Sequence, residues 1–149
     1  MIDVGFIGLG IMGRPMAGHL QAAGHKLFLC DVAPIAPELV AAGGIVCKSG
    51  RQVAEESDVV IVMVPDTPDV AAVLFGAGGV AEGLSKGKIV VDMSSISPLA
   101  TKEFAKKINA CGADYLDAIG YRGWVGCEYK PKTTTTEGLE WYTAQTVAA

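Results

Sequence analysis

The sequence predicts an α/β fold built on a doubly wound parallel sheet. Apolar segments of strand length alternate with helix-like segments along the chain, and this alternation favours a parallel sheet with helices on both faces. The segment at residues 59–64 (VVIVMV) is apolar at every position, which is typical of a strand that is covered on both sides. Right-handed crossovers between such strands favour the strand order 3-2-1-4-5-6.

The first half of the chain has a β-α-β-α-β pattern. The predicted strands are residues 4–8, 26–30 and 45–47, and the predicted helices are residues 11–20, 34–42 and 49–56. In the first helix, Met12, Met16 and Leu20 recur at i, i+4 and i+8, so we expect them to form its core face. Gly24 and the Gly43-Gly44 pair are suited to end the first two helices.

The second half repeats this alternation. The predicted strands are residues 59–64, residues 89–91 ending at Asp92, and residues 115–118; the predicted helices are residues 68–75 and 98–111. The five glycines of residues 76–87 indicate a loop between them. The last helix is expected to open at Ser97-Pro98 and to bury one stripe of side chains, which comprises Leu99, Phe104, Ile108 and Cys111.

Composition excludes several classes of protein. A length of 149 residues suits one domain, and 50% hydrophobic against 19% charged residues argues against disorder. A net charge of −4 argues against nucleic-acid binding. The sequence has no 18-residue apolar run and no basic leader, so we expect neither a membrane span nor a signal peptide. Cys30, Cys47, Cys111 and Cys127 have no metal-binding spacing, which favours reduced thiols in the cytoplasm and no metal.

A glycine-rich motif lies where the first predicted strand meets the first helix. Residues 8–13 read Gly8-Leu9-Gly10-Ile11-Met12-Gly13, which is G-x-G-x-x-G. In this motif the first glycine permits a tight turn, the second lets the backbone approach a pyrophosphate, and the third lets helix and strand pack closely. The N-terminus of the helix then supplies N–H groups to the phosphates. The motif predicts a dinucleotide-binding (Rossmann) domain, although core packing also explains Met12 and Met16.

Asp31 ends the second predicted strand, 18 residues after Gly13. A carboxylate there accepts hydrogen bonds from the adenosine ribose and repels a 2′-phosphate. Val32 and Ala33 follow it and offer no positive charge. The sequence therefore favours NAD over NADP. In the alternative interpretation, a flavodoxin-like domain, the glycine segment is only a tight turn and Asp31 a solvated strand end.

Two further strand ends are candidate ligand contacts, because ligands of doubly wound sheets bind outside the carboxyl ends of the strands. Val64 and Pro65 follow the fourth predicted strand, and Ser94 and Ser95 follow the fifth. The serine hydroxyls could reach the nicotinamide ribose or a substrate carboxylate. Capping of the helix that follows them explains these serines, and Ser97, equally well.

Four segments in order resemble the β-hydroxyacid dehydrogenases. They are GFIGLGIMGRPMA at residues 5–17, MVPDTPDV at 63–70, VLFG at 73–76 and VDMSSISP at 91–98. The resemblance covers residues 1–118 and implies reversible hydride transfer between NAD(P) and a small 3-hydroxy acid or its semialdehyde. It implies that residues 8–13 hold the pyrophosphate and that Asp31 discriminates at the ribose. It further implies that Val64 and Pro65 pass over the cofactor, and that Ser95 contacts the nicotinamide end.

The resemblance stops after residue 118. The family continues with a Pro-Val-Ser-Gly-Gly segment that binds the substrate carboxylate, whereas this chain continues Ile119-Gly120-Tyr121. The family also has a second, all-helical domain that carries a catalytic lysine. Lys130 and Lys132 do not lie in that motif, so no catalytic residue is assigned. We expect residues 1–118 to be the dinucleotide-binding domain and residues 119–149 a divergent tail, left by a frameshift, a gene-model error or natural variation.

These expectations leave three functions open. The chain is the cofactor half of a dehydrogenase, an NAD(H)-binding module or sensor without catalysis, or a non-functional fragment. In the first case it binds NAD but lacks the catalytic half. The oligomeric state is left open, because the family's interface lies largely in the second domain.

Overall fold

A single parallel sheet organises the protein, whose structure is a computed structural model describing residues 1–115. Within those residues the strands are β1 (Asp3–Ile7), β2 (Lys26–Cys30), β3 (Ile45–Val46), β4 (Val59–Val62), β5 (Ile89–Asp92) and β6 (Asp114–Tyr115). Their order is β3-β2-β1-β4-β5-β6, and every neighbouring pair is parallel. The predicted doubly wound order is confirmed. The predictions for residues 116–149, including Cys127, lie outside the described residues.

The strand register brings four strand ends together. Ile7 is paired with both Cys30 and Val62, and Val62 is paired with Asp92. The segments that follow these four residues therefore leave the sheet side by side. We call this side the carboxyl edge, and ligands of doubly wound sheets bind there.

Five helices and one short turn connect the strands within residues 1–115. They are α1 (Gly13–Ala22), α2 (Pro37–Ala41), α3 (Gly50–Glu56), α4 (Thr67–Phe75) and α5 (Pro98–Ala110), with a 3₁₀ turn at Val80–Gly83. The ends predicted from Gly24 and Gly43 are confirmed at α1 and α2, where both glycines have positive φ, and the predicted start of α3 is confirmed at Ser49. Ser49 caps α3 by accepting a hydrogen bond from the Gln52 N–H at 3.1 Å. Gly24 follows α1 with φ +88°, a conformation that favours glycine.

The core lies on both faces of the sheet. On one face β4 contributes Val60 and Val62, which pack under α3, α4 and α5. On the other face α1 contributes Ala17 and α2 contributes Leu39, which pack on β1 and β2. Ile61 lies against this second cluster. Successive residues of β4 thus face opposite sides, as the unbroken apolar run predicts.

Helix α2 and strand β4 are both shorter than predicted. Helix α2 begins at Pro37 instead of residue 34, and Ala36 before it has an extended ψ of 128°. A residue that precedes proline is disfavoured in helical conformation, so the helix cannot extend further back. Strand β4 ends at Val62 instead of residue 64, because the Val64 N–H bonds to a side chain instead of the neighbouring strand.

Three predicted core residues are exposed instead. Met12 is 58% exposed because α1 begins only at Gly13, which leaves Met12 as the N-cap residue. Leu99 is 75% exposed in the first turn of α5, and Cys111 is exposed at its end. Phe104 and Ile108, in the middle of α5, are buried as predicted. No helix among residues 1–115 has the length and apolar character that a bilayer crossing requires.

Candidate cofactor-binding site

The three glycines of the motif occupy different surroundings, and each difference has a steric cause. Gly8 has φ +93°, and a Cβ there would overlap the Met63 carbonyl oxygen. A Cβ at Gly13 would overlap the Gly8 carbonyl oxygen and lie 3.1 Å from Phe6 Cε1. A Cβ at Gly10 would meet no atom of residues 1–115 within 4 Å. The fold therefore requires glycine at positions 8 and 13, but leaves open space beside Gly10.

The glycine segment ends at the N-terminus of α1. Gly8 donates its N–H to the Cys30 carbonyl at 3.1 Å, and Arg14 donates to the Gly10 carbonyl at 3.0 Å. Within residues 1–115, the N–H groups of Gly10, Ile11 and Met12 have no hydrogen-bond partner. Free N–H groups at the start of a helix, with the partial positive charge of the helix dipole, form an anion-binding site. The loop therefore fits a pyrophosphate.

Asp31 connects the glycine segment to the end of β2. Its Oδ2 accepts a hydrogen bond from the Leu9 N–H, and its Oδ1 accepts one from the Ala33 N–H at 2.8 Å. The carboxylate thus fixes the middle of the loop as well as its own turn. Val32 beside it is fully exposed. Asp31 therefore lies next to the loop, as the ribose contact would require.

Two thiols, one at the end of β2 and one just after β3, are uncharged at neutral pH. Burial and the nearby Asp31 carboxylate raise the pKa of the Cys30 thiol above its usual value of 9.0. Burial raises the pKa of the Cys47 thiol to about 11. Because a raised pKa keeps a thiol protonated, neither sulfur adds negative charge beside Asp31.

The loops after β4 and β5 are joined by hydrogen bonds. Ser94 accepts one from the Val64 N–H at 3.0 Å, so its hydroxyl binds the neighbouring loop. Pro65 and Ser95 are exposed and Val64 is half-buried. Ser97 occupies the N-cap position of α5, but its side chain makes no capping hydrogen bond. Capping by a hydroxyl therefore does not explain these serines.

The structure also reveals two residues that sequence reasoning left without a role. Asp92 accepts a hydrogen bond from the Ser94 N–H at 2.9 Å through Oδ1, and one from the Tyr115 hydroxyl at 2.9 Å through Oδ2. The available signal was position, because Asp92 is the last residue of β5, much as Asp31 directly follows the last residue of β2.

A groove with a mainly apolar lining is also present in the described part of the chain. It has a volume of about 350 Å³ and is lined by Met16, His19, Leu20, Ile61 and Met93. The glycine segment and Asp31 are not among its lining residues, so the cofactor interpretation depends on the loops and not on this groove. Within the described residues, no three His, Cys, Asp or Glu side chains cluster closely enough to hold a metal ion.

Comparison with known proteins is consistent with this site. The family model described as the NAD binding domain of 6-phosphogluconate dehydrogenase matches residues 3–123. The chain is 52% identical over 125 residues to 2-hydroxy-3-oxopropionate reductase of Escherichia coli (strain K12), which covers 84% of this chain and 43% of that protein. It thus spans less than half the length of this relative.

Solved structures match over the same part of the chain. The Mycobacterium tuberculosis 3-hydroxyisobutyrate dehydrogenase with L-serine matches with 31% identity and a TM-score of 0.69, covering 77% of this chain and 39% of that one. Psf3 in complex with NADP⁺ and 2-OPP matches with 28% identity and a TM-score of 0.70, covering 75% and 40%. These matches support the parallel-sheet fold that positions the loops.

Proposed function

Because this chain belongs to the family described as the NAD binding domain of 6-phosphogluconate dehydrogenase, and its relatives are 3-hydroxyacid dehydrogenases, we propose that it is the cofactor-binding part of a 2-hydroxy-3-oxopropionate reductase. Such an enzyme reduces tartronate semialdehyde to glycerate. The single observation that carries the cofactor role is the open space beside Gly10. The two flanking glycines are explained by packing, whereas no packing contact within residues 1–115 requires glycine at position 10, and the close approach of a ligand would.

Successive parts of an NADH molecule can be matched to successive groups of residues at the carboxyl edge. The N–H groups of residues 10–12 hold the pyrophosphate, and Asp31 accepts hydrogen bonds from the adenosine ribose. Val64 and Pro65 pass over the cofactor, and the exposed Ser95 contacts its nicotinamide end. The bound NADH supplies the hydride, while these residues bind and orient it.

We assign NAD as the preferred cofactor on the charge of the β2 end. A 2′-phosphate placed beside Asp31 would meet a carboxylate, and Val32 and Ala33 offer no positive charge. Arg14, in the first turn of α1, is paired with Glu38. Psf3 binds NADP⁺ with the same fold, so this preference depends on these side chains and not on the fold.

The described carboxyl edge lacks a group suited to protonate the substrate oxygen. Carbonyl reduction needs a proton donor as the hydride arrives. Residues 63–67 and 93–97, which follow β4 and β5, contain no lysine or histidine. We therefore expect the 149-residue polypeptide to bind NADH without reducing tartronate semialdehyde.

A chimaera tests the proposed reaction. Residues 1–115 of this chain are joined at the end of β6 to the remainder of the Escherichia coli reductase, which supplies the part that this chain does not cover. The chimaera is expected to reduce tartronate semialdehyde with NADH, while the 149-residue polypeptide shows no turnover. The matched control carries Gly10→Ala in the chimaera and is expected to lose activity. A folded chimaera that binds NADH but reduces no more substrate than the control would contradict the proposal, as would turnover by the 149-residue polypeptide.

A further inference from the structure

A chain of hydrogen bonds links β6 to the loop after β4. The Tyr115 hydroxyl donates to Asp92 Oδ2 at 2.9 Å, and the Ser94 N–H donates to Asp92 Oδ1 at 2.9 Å. The Val64 N–H donates to the Ser94 hydroxyl oxygen at 3.0 Å. We call Tyr115, Asp92 and Ser94 the edge network. Both carboxylate oxygens of Asp92 are thus engaged, and hydrogen bonds to a charged acceptor are stronger than those between neutral groups.

The edge network begins where the backbone hydrogen bonds that join β1, β4 and β5 come to an end. The Met63 N–H donates to the Ile7 carbonyl at 2.9 Å, and the Met93 N–H donates to the Val62 carbonyl at 2.8 Å. At the next residue, Val64, the acceptor is the Ser94 side chain instead of a backbone carbonyl. The hydroxyl therefore fixes the backbone at the point where the loop leaves the sheet.

A second hydrogen bond holds the same two loops together. The Ser97 N–H donates to the Thr67 hydroxyl oxygen at 3.2 Å. Ser95 lies between the two joined positions and is exposed. The two hydrogen bonds thus set the separation of the loops on either side of Ser95, and hence where its hydroxyl is presented.

We propose that the edge network positions the Val64–Pro65 loop and Ser95 for the nicotinamide end of the cofactor, an inference that rests on the proposed function. Ser94 is then a positioning residue and not the substrate contact that its place in the sequence suggests. Tyr115 is only 1% exposed, so it acts on the loop through Asp92 and not by touching a ligand.

If the edge network has this role, disrupting it should weaken the binding of the nicotinamide end of NADH and leave the binding of the adenosine end unchanged. Ser94→Ala removes the acceptor of the Val64 N–H, and we expect NADH to bind about fivefold more weakly, the effect of losing one hydrogen bond. ADP carries the adenosine and both phosphates but no nicotinamide riboside, so its affinity is expected to stay within about twofold. Calorimetric titration of both ligands, with a thermal melt of each variant, measures the two effects separately.

Three further variants distinguish positioning from other roles. Ser94→Thr keeps the hydroxyl and should restore NADH affinity. Tyr115→Phe removes only the buried hydroxyl and should weaken NADH about two- to threefold with ADP unchanged. Ser85→Ala removes an exposed hydroxyl that precedes β5 at the opposite end of the strand, and it should leave both affinities unchanged.

Four results would overturn the inference. Equal losses of NADH and ADP affinity in Ser94→Ala would indicate a merely structural role. Unchanged NADH affinity in Ser94→Ala would show that the loop needs no such support. Normal affinity in Tyr115→Phe beside a loss in Ser94→Ala would indicate that Ser94 touches the cofactor directly. Failure of the unmutated chain to bind either ligand would instead overturn the proposed function, and the inference with it.

Discussion

Replacing Gly10 with alanine is expected to abolish NADH binding while the protein keeps its fold. A Cβ at this position would meet no atom of the described part of the chain within 4 Å, and Gly10 is not among the glycines with positive φ. Alanine at such a position commonly stabilises a protein by about 0.4–1 kcal/mol, because it restricts the unfolded chain. The methyl group would occupy the space that the pyrophosphate needs, so we expect affinity to fall at least about 100-fold, or roughly 2.7 kcal/mol.

Gly13→Ala is the matched control, because it changes the same motif by the same methyl group. Its Cβ would overlap the Gly8 carbonyl oxygen, so the start of α1 must move away from β1. Overpacking of this kind typically costs about 1–3 kcal/mol, and we expect a lower melting temperature before any ligand is added. Thermal melts without ligand and fluorescence titrations with NADH measure both variants. Normal NADH affinity in Gly10→Ala would contradict the assignment of this loop to the pyrophosphate.

Replacing Asp31 with alanine is expected to weaken NADH and to narrow the preference for NADH over NADPH. The change removes the acceptor of the Leu9 and Ala33 N–H groups, and with it the proposed ribose contact. Hydrogen bonds to a charged group contribute about 1.5–3 kcal/mol each, so NADH affinity should fall about 10- to 100-fold. NADPH should lose less, because the repulsion of its 2′-phosphate disappears with the carboxylate.

Asp31→Asn separates charge from hydrogen bonding. Asparagine keeps one acceptor oxygen for the loop but carries no negative charge. We expect it to retain more NADH affinity than Asp31→Ala while showing a similarly narrowed preference over NADPH. Paired titrations of the two cofactors measure both quantities. If NADPH binds the unmutated chain as tightly as NADH, the proposed role of Asp31 in cofactor choice is wrong.

The sheet could be predicted from the sequence because its signals are local. The apolar run at residues 59–64 and the glycines that end α1 and α2 specify elements without reference to distant residues. The helix-end conformations of Gly24 (φ +88°) and Gly43 (φ +95°) follow from residue type alone. The strand order then follows from the handedness of the connections.

The edge network could not be predicted in the same way. Tyr115 is paired with Val90 across the sheet, and Asp92 lies two residues further along β5. Contact between them depends on a diagonal relation between neighbouring strands, which is known only once the register is fixed. The sequence showed an acidic residue at the end of β5, but not that both of its oxygens are engaged.

The exposure of side chains near helix ends also could not be predicted from the apolar spacing of the sequence. Met12 and Leu99 continue an apolar spacing, yet both are exposed, at 58% and 75%. A helical pattern gives the direction of a side chain but not whether the helix still covers the sheet at that turn. The first turns of α1 and α5 lie at the carboxyl edge, where the sheet ends.

The proposed cofactor role is decided by whether the purified 149-residue chain binds NADH. Nicotinamide fluorescence reports the bound cofactor, and a thermal melt in the same sample reports the fold. We expect a cooperative melt that NADH shifts upward, since a ligand at 100 times its dissociation constant adds about 2.7 kcal/mol of stability. A cooperative melt that NADH leaves unchanged, with no change in nicotinamide fluorescence, would show a folded domain that does not bind this cofactor and would contradict the proposed cofactor role.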